Sequence, residues 1–250
     1  MADLRCRTCL TVAAIAACLW WTAAMAENRN ALRDIVEDQC LVHWLQSHSA
    51  GPCLRVELPG PKGARNGYAV LADRKGGAHF LVIPTRIISG IESRELQEAG
   101  TPNYFDEAWS ARAELAGAVG TALPRQLIGM AVNSRNARSQ DQLHIHVECL
   151  QSLIHESLQA SADRLSDLWS PIEIPGWHLL ARRVLSESLG SADPFKLLAA
   201  GLVGAQNSLG DYSLLVAGMN FQAGPGFALL AGTGPGTERL LDSTCALAKP

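Results

Sequence analysis

The sequence predicts an α+β fold: an antiparallel sheet whose apolar face is covered by helices. Three observations carry this prediction. Two segments are patterned as hairpins around glycine-bearing turns, one strand alternates strictly between polar and apolar residues, and the stretches between them place apolar residues at helical spacing. With 250 residues, 48% of them hydrophobic and 18% charged, the chain has enough apolar surface for one large domain or two small ones, which excludes a disordered class. A net charge of -3 excludes a nucleic-acid scaffold that binds mainly through phosphate contacts.

The elements follow in chain order. Arg5 and Arg7 precede the uncharged run "CLTVAAIAACLWWTAAMA", and the small residues "AMA" at 24–26 suit cleavage before Glu27. Residues 1–26 are therefore expected to be a signal peptide or an N-terminal membrane anchor, because the apolar run 10–26 lies near the lower limit for spanning a bilayer. Either outcome places residues 27–250 outside the cytoplasm. There Cys40, Cys53, Cys149 and Cys245 are expected to form disulfides, with three pairings open.

"ALRDIVEDQCLVHWL" brings Leu32, Ile35, Val36, Leu41 and Leu45 onto one helical face. "YAVLAD" and "HFLVIP" read as a hairpin around a turn at 74–77, with the second strand ending at Pro84. Asn103 is placed to cap a helix whose stripe includes Phe105, Ala108, Trp109 and Leu115, and Gly120 and Pro124 stop it. "LIGMAVN" is a strand, "SRNARSQ" a basic loop and "QLHIHVECL" a second strand. Beyond Leu150 the pattern predicts a helix to about Leu168, a loop at "SPIEIPG", and strand leading into helix over "WHLLARRVLSESLG". "DYSLLVAGMNFQAGPGFALLAG" reads as a second hairpin that echoes the first, which raises a duplicated half-domain.

Alternation divides the residues of "QLHIHVECL". Leu143, Ile145, Val147 and Cys149 share one face, and Gln142, His144, His146 and Glu148 share the other. Two histidines at i and i+2 admit three chemistries. A metal site needs a third ligand of recognisable spacing, whereas His43, His48, His79, His155 and His178 are scattered, so no metal or other cofactor is expected. A serine triad lacks its G-x-S-x-G elbow. The third is a histidine nucleophile: with a reference pKa of about 6.5, imidazole is mostly neutral at pH 7 and can attack phosphorus to form a covalent intermediate.

"HFLVIPTRIISGIES", "LIGMAVN", the seven-residue step from Asn133 to Gln140 and "QLHIHVECL" together resemble the histidine-triad superfamily over about residues 66–150. "NYFDEAWSAR", the basic loop and "LARRV", in an exported four-cysteine chain, narrow the similarity to the bacterial CDP-diacylglycerol pyrophosphatase family. The resemblance implies a histidine-triad-like hydrolase domain over 27–250, with a motif core at 66–150 and an extension at 151–250 that includes the second hairpin. It also implies hydrolysis of a liponucleotide to CMP and phosphatidate through a nucleotidyl-histidine, at a membrane surface facing the periplasm and without metal. Two other readings stay open: a hydrolase of soluble nucleotide pyrophosphates, and an exported nucleotide- or phospholipid-binding module without catalysis.

The resemblance leaves the register open. Either Gln142, His144 and His146 fill the three motif positions with His144 as nucleophile, or His144, His146 and Glu148 do so with His146 as nucleophile. The Asn133 to Gln140 spacing favours the second. Charge favours the first, since a carboxylate about 4 Å from an anionic phosphate costs on the order of 4 kcal/mol at an effective dielectric of about 20. On that ground His144 is the expected nucleophile, with His146 and Gln142 binding phosphate. Arg86, Arg135 and Arg138 are candidate pyrophosphate ligands, and Asn133 and Gln140 candidate site-shaping residues.

Overall fold

The computed structural model describes residues 28–202 and 204–249, so the export segment lies outside the described residues. Among these no helix is long and apolar enough to cross a membrane. A first helical run consists of α1 (Ala31–Ile35), a π-helical stretch (Val36–Leu41) and α2 (Val42–Ser47). Then come β1 (Arg55–Glu57), a short α3 (Gly63–Asn66), β2 (Tyr68–Ala72), β3 (Phe80–Pro84), α4 (Tyr104–Ser110), α5 (Arg112–Val119), β4 (Ile128–Val132) and β5 (Ile145–Leu150). The chain continues through α6 (Ser152–Ser161), β6 (Ser170–Ile174), β7 (Trp177–Leu185), α7 (Pro194–Gly201), β8 (Tyr212–Phe221), β9 (Gly224–Thr233) and β10 (Leu241–Asp242).

Local chemistry sets several boundaries. Asn103 Oδ1 accepts from the Phe105 N–H at 3.2 Å and starts α4, while Gly120 at φ 78° supplies the left-handed residue that ends α5. Asp193 Oδ1 caps α7 through the Phe195 N–H, with Pro194 pre-set in its first turn.

The strands form one antiparallel sheet in the order β1-β2-β3-β5-β4-β8-β9-β7-β6, with β10 pairing the end of β5. "SPIEIPG" is a strand, not a loop: β6 is the sheet's outer strand, where Pro171 is tolerated, and it turns into β7 through Gly176 at φ 79°. The preceding α-helix stops at Ser161, short of Leu168.

Helices cover both faces rather than one. On the first face Phe105, Trp109, Leu115, Phe195 and Leu198 of α4, α5 and α7 join Val70, Val82, Ile145, Met130, Val216 and Leu229 in the main core. On the second face Val36 and Cys40 pack on Ala69, Leu71, Leu81 and Ile83 at one end of the sheet. Ile154 and Leu158 of α6 pack with Leu215, Leu230 and Ala181 at the other end. Between these two covers the second face of β5 is left without an apolar lid.

The order contains a repeat. β2-β3-β5-β4 and β6-β7-β9-β8 have the same topology, each a hairpin, a helical segment on the first face and a second strand pair, and the halves join where β4 pairs with β8. The repeat does not follow the hairpin echo read from the sequence: by position in the sheet, β8 and β9 match β4 and β5 rather than β2 and β3. Two disulfides, Cys40–Cys53 and Cys149–Cys245, tie the first helical run to the segment before β1 and the end of β5 to the C-terminal segment. Such bonds suit an extracellular or periplasmic compartment.

Candidate active site

The uncovered part of the second face is a cavity of about 640 Å³. Leu32 and Ile35 of α1 form one wall, and Leu71 and Leu81 part of its floor. Asp73, Arg74 and Lys75 in the turn between β2 and β3 form a second side, and Asn133, Ala137, Ser139 and Gln140 a third. His144, His146 and Glu238 complete the lining.

Strand register explains why two imidazoles lie here. Leu81 of β3, His146 of β5 and Ala131 of β4 are direct cross-strand partners, so His146 is a polar break in an apolar row. The apolar alternates Leu143, Ile145, Val147 and Cys149 all enter the main core, as the sequence predicts. The polar alternates are buried as well: Gln142, His144, His146 and Glu148 are 1%, 8%, 4% and 5% exposed.

His144 Nδ1 lies 2.7 Å from the Gln142 carbonyl oxygen. A carbonyl only accepts, so Nδ1 carries the proton and Nε2 holds the lone pair. Burial pushes the His144 pKa below its ordinary value, against the raising effect of the Gln142 carbonyl, and the ring is neutral. His146 Nδ1 lies 2.9 Å from His79 Nε2. Burial, then the neighbouring His144 and His79, hold the His146 pKa well below the usual histidine range. Glu238 Oε2 is 3.0 Å from His146 Nε2 but out of line with it, so that buried ring nitrogen has no hydrogen bond. An unpaired buried polar atom costs about 1–3 kcal/mol, which makes Nε2 a place where a ligand atom would be welcome.

Glu148 meets the objection to a carboxylate beside phosphate. Burial first, then Glu238 and Asp73, push its pKa to about 8, so it is predominantly protonated at neutral pH. Its Oε1 lies 3.2 Å from His79 Nε2.

The other expected site residues divide. Asn133 and Gln140 line the cavity. Asn133 Oδ1 accepts from the Glu238 N–H at 3.2 Å, and a Cβ on Gly236 would collide with that amide, so the glycine lets the C-terminal segment pass close enough to deliver Glu238. Gln140 accepts from the Leu32 N–H and donates to the Asn28 carbonyl, fixing α1 as a wall. Gln142, Arg86, Arg135 and Arg138 are not part of the lining. Gln142 Nε2 donates to the carbonyls of Pro84 and Arg86, and Arg86 donates to Thr101. Arg138 is held by Glu92 at 2.7 Å and Asp141 at 3.1 Å, and Arg135 lies outside it, 3.5 Å from Glu92. Burial raises the Glu92 pKa, but hydrogen bonds and charge from Arg138, with the charge of Arg135, bring it below its ordinary value.

The cavity's cations are Arg74 and Lys75, which sequence reasoning passed over as turn residues. His79 and Glu238 were also missed. The alternation His79, Leu81, Ile83 was available as a signal that His79 shares a sheet face with Leu81. That β3 lies beside β5 was not.

Comparison with known proteins identifies the family. A family model described as CDP-diacylglycerol pyrophosphatase matches residues 27–249. A CDP-diacylglycerol pyrophosphatase from Yersinia pestis is 36% identical over 227 residues, covering 87% of this chain and 84% of the relative. A match over nearly the whole described chain, with this identity, places the protein in the CDP-diacylglycerol pyrophosphatase family.

Proposed function

We propose that the chain hydrolyses the pyrophosphate bond of CDP-diacylglycerol, releasing CMP and phosphatidate through a cytidylyl intermediate on His144, outside the cytoplasm at a membrane surface. The observation that carries this is the anchored Nδ1 of His144, which leaves Nε2 as a neutral lone-pair donor in a cavity-lining ring. Nε2 forms a bond to the cytidylyl phosphorus as the bond from that phosphorus to the phosphatidate oxygen breaks. The electron pair leaves with phosphatidate. Water then attacks the same phosphorus, the N–P bond breaks, His144 recovers its lone pair and the water proton passes to solvent. Gln142 serves through its backbone carbonyl, and His146 Nε2–H donates to a phosphate oxygen. Arg74 and Lys75 supply cationic contacts at the pyrophosphate, taking the role expected of Arg86, Arg135 and Arg138. The apolar wall of Leu32 and Ile35 suits the glycerolipid side of the substrate.

The stereochemical course at the cytidylyl phosphorus tests the intermediate. With a substrate made chiral there by sulfur and oxygen isotopes, two in-line displacements give CMP with retained configuration. Inversion means that water attacks directly and removes the histidine intermediate.

A further inference from the structure

On the side of His146 away from His144, three side chains converge: His79 just before β3, and His146 and Glu148 on β5. They are 5%, 4% and 5% exposed. His79 Nε2 lies 2.9 Å from His146 Nδ1 and 3.2 Å from Glu148 Oε1, and the three potential ligand atoms all fall within 4.8 Å of one another. With bonds of about 2.0–2.2 Å, the edge of a tetrahedral zinc site is about 3.3–3.6 Å. Small outward shifts of the two rings would admit an ion.

Protons alone serve this arrangement poorly. His79 Nε2 can donate one hydrogen or accept one, yet it faces two partners, and only the contact with His146 has hydrogen-bond geometry. One cation would satisfy all three atoms together. Further oxygen donors surround the cluster: Glu238 and Asp242 border a cavity of about 260 Å³ shared with His79 and Glu148, and Asp73 Oδ1 lies 3.8 Å from His79 Nδ1. The same cavity provides an entry path and room for water at a fourth position.

We propose that His79 Nε2, His146 Nδ1 and Glu148 Oε1 bind one divalent transition-metal ion. Two imidazoles and one carboxylate with an open fourth position match zinc best. The site stands independently of the catalytic reading. Its consequence rests on that reading: an ion on Nδ1 fixes the His146 proton on Nε2, the atom assigned to the phosphate.

The test uses the untagged full-length protein, purified with both disulfides formed, dialysed against metal-free buffer and titrated with zinc and with cobalt(II). One zinc ion per chain is expected, and cobalt should give the intense visible bands of a four-coordinate site. His79→Gln and Glu148→Gln should each abolish those bands and weaken zinc binding by more than the about 10–100-fold that loss of a supporting partner costs. His155→Gln, remote from the cluster, should retain both signals. Circular dichroism and thiol titration confirm that the variants are folded and oxidised. Failure to retain zinc, or binding indifferent to both His79→Gln and Glu148→Gln, overturns the site whatever the outcome for catalysis.

Discussion

The two halves of the sheet share a topology and differ in what their matching positions hold. One cross-strand row runs Leu71, Leu81, His146, Ala131, Leu215, Leu230, Ala181, and the junction of Ala131 with Leu215 relates the halves. Counted outward from that junction, His146 matches Leu230, and two residues earlier on each strand His144 matches Ala228. In the second half α6 lies over this row, and Leu230 and Ala228 belong to an apolar cluster with Ile154 and Leu158. In the first half the helical run packs farther out, on β2 and β3, and the row opens into the cavity. Leu230 and Ala228 demonstrate that this topology needs no imidazole to form. On the function proposed above, the histidines serve the chemistry of the cavity rather than the stability of the sheet.

The largest test of this contrast is His144→Ala, which should lower turnover by about 10⁴-fold or more, the scale of losing a nucleophile, while thermal unfolding stays close to that of the parent. Next is the disulfide at the end of the histidine strand. Replacing Cys149 and Cys245 by alanine opens a crosslink spanning 96 residues, for which chain entropy gives about 4.7 kcal/mol, against about 2.9 kcal/mol for Cys40 and Cys53, 13 residues apart. Urea unfolding should rank the two double variants in that order, and the Cys149 and Cys245 variant should also lose activity, because the segment carrying Glu238 loses its tether.

A smaller effect inverts the comparison. Leu230→His puts an imidazole at the position matching His146 but under α6, where there is no cavity. Lost apolar burial and an unpaired ring nitrogen together should cost about 3 kcal/mol by chemical denaturation, with activity per folded molecule unchanged. The smallest effect concerns the loop before the histidine strand. Hydrogen bonds from Arg29, then from Arg138, hold the Asp141 carboxyl down at about 2. A depressed carboxylate contributes stability above its unfolded value near 3.8, and loses that contribution as pH falls from there through about 2. Because the side chain is 38% exposed, Asp141→Asn should cost under about 1 kcal/mol at pH 7 and nothing below pH 2.

Much of this was legible in the residues because the signals are local. Period-two alternation assigned every residue of the histidine strand to its face, the Asn103 cap and Gly120 fixed the two ends of a helical segment that breaks at Ala111 into α4 and α5, and four cysteines behind an expected export segment implied two bridges. What was hidden depended on who sits beside whom. Burial of the polar face follows from neighbours supplied by α1 and the C-terminal segment, more than a hundred positions apart. Arg138 looked like a phosphate ligand because nothing in the sequence connects it to Glu92, 46 residues earlier. β6 looked like a loop because Pro171, Pro175 and Gly176 bracket it, and only its outer position in the sheet makes the proline harmless.

A histidine nucleophile is tested most directly by trapping the intermediate. Purified protein is mixed with CDP-diacylglycerol for milliseconds, quenched in alkaline denaturant because an N–P bond is labile in acid, digested and mapped by mass spectrometry. A cytidylyl group is expected on His144, absent in His144→Ala and still formed in His146→Ala. An adduct on His146, or full turnover by His144→Ala, would contradict that assignment.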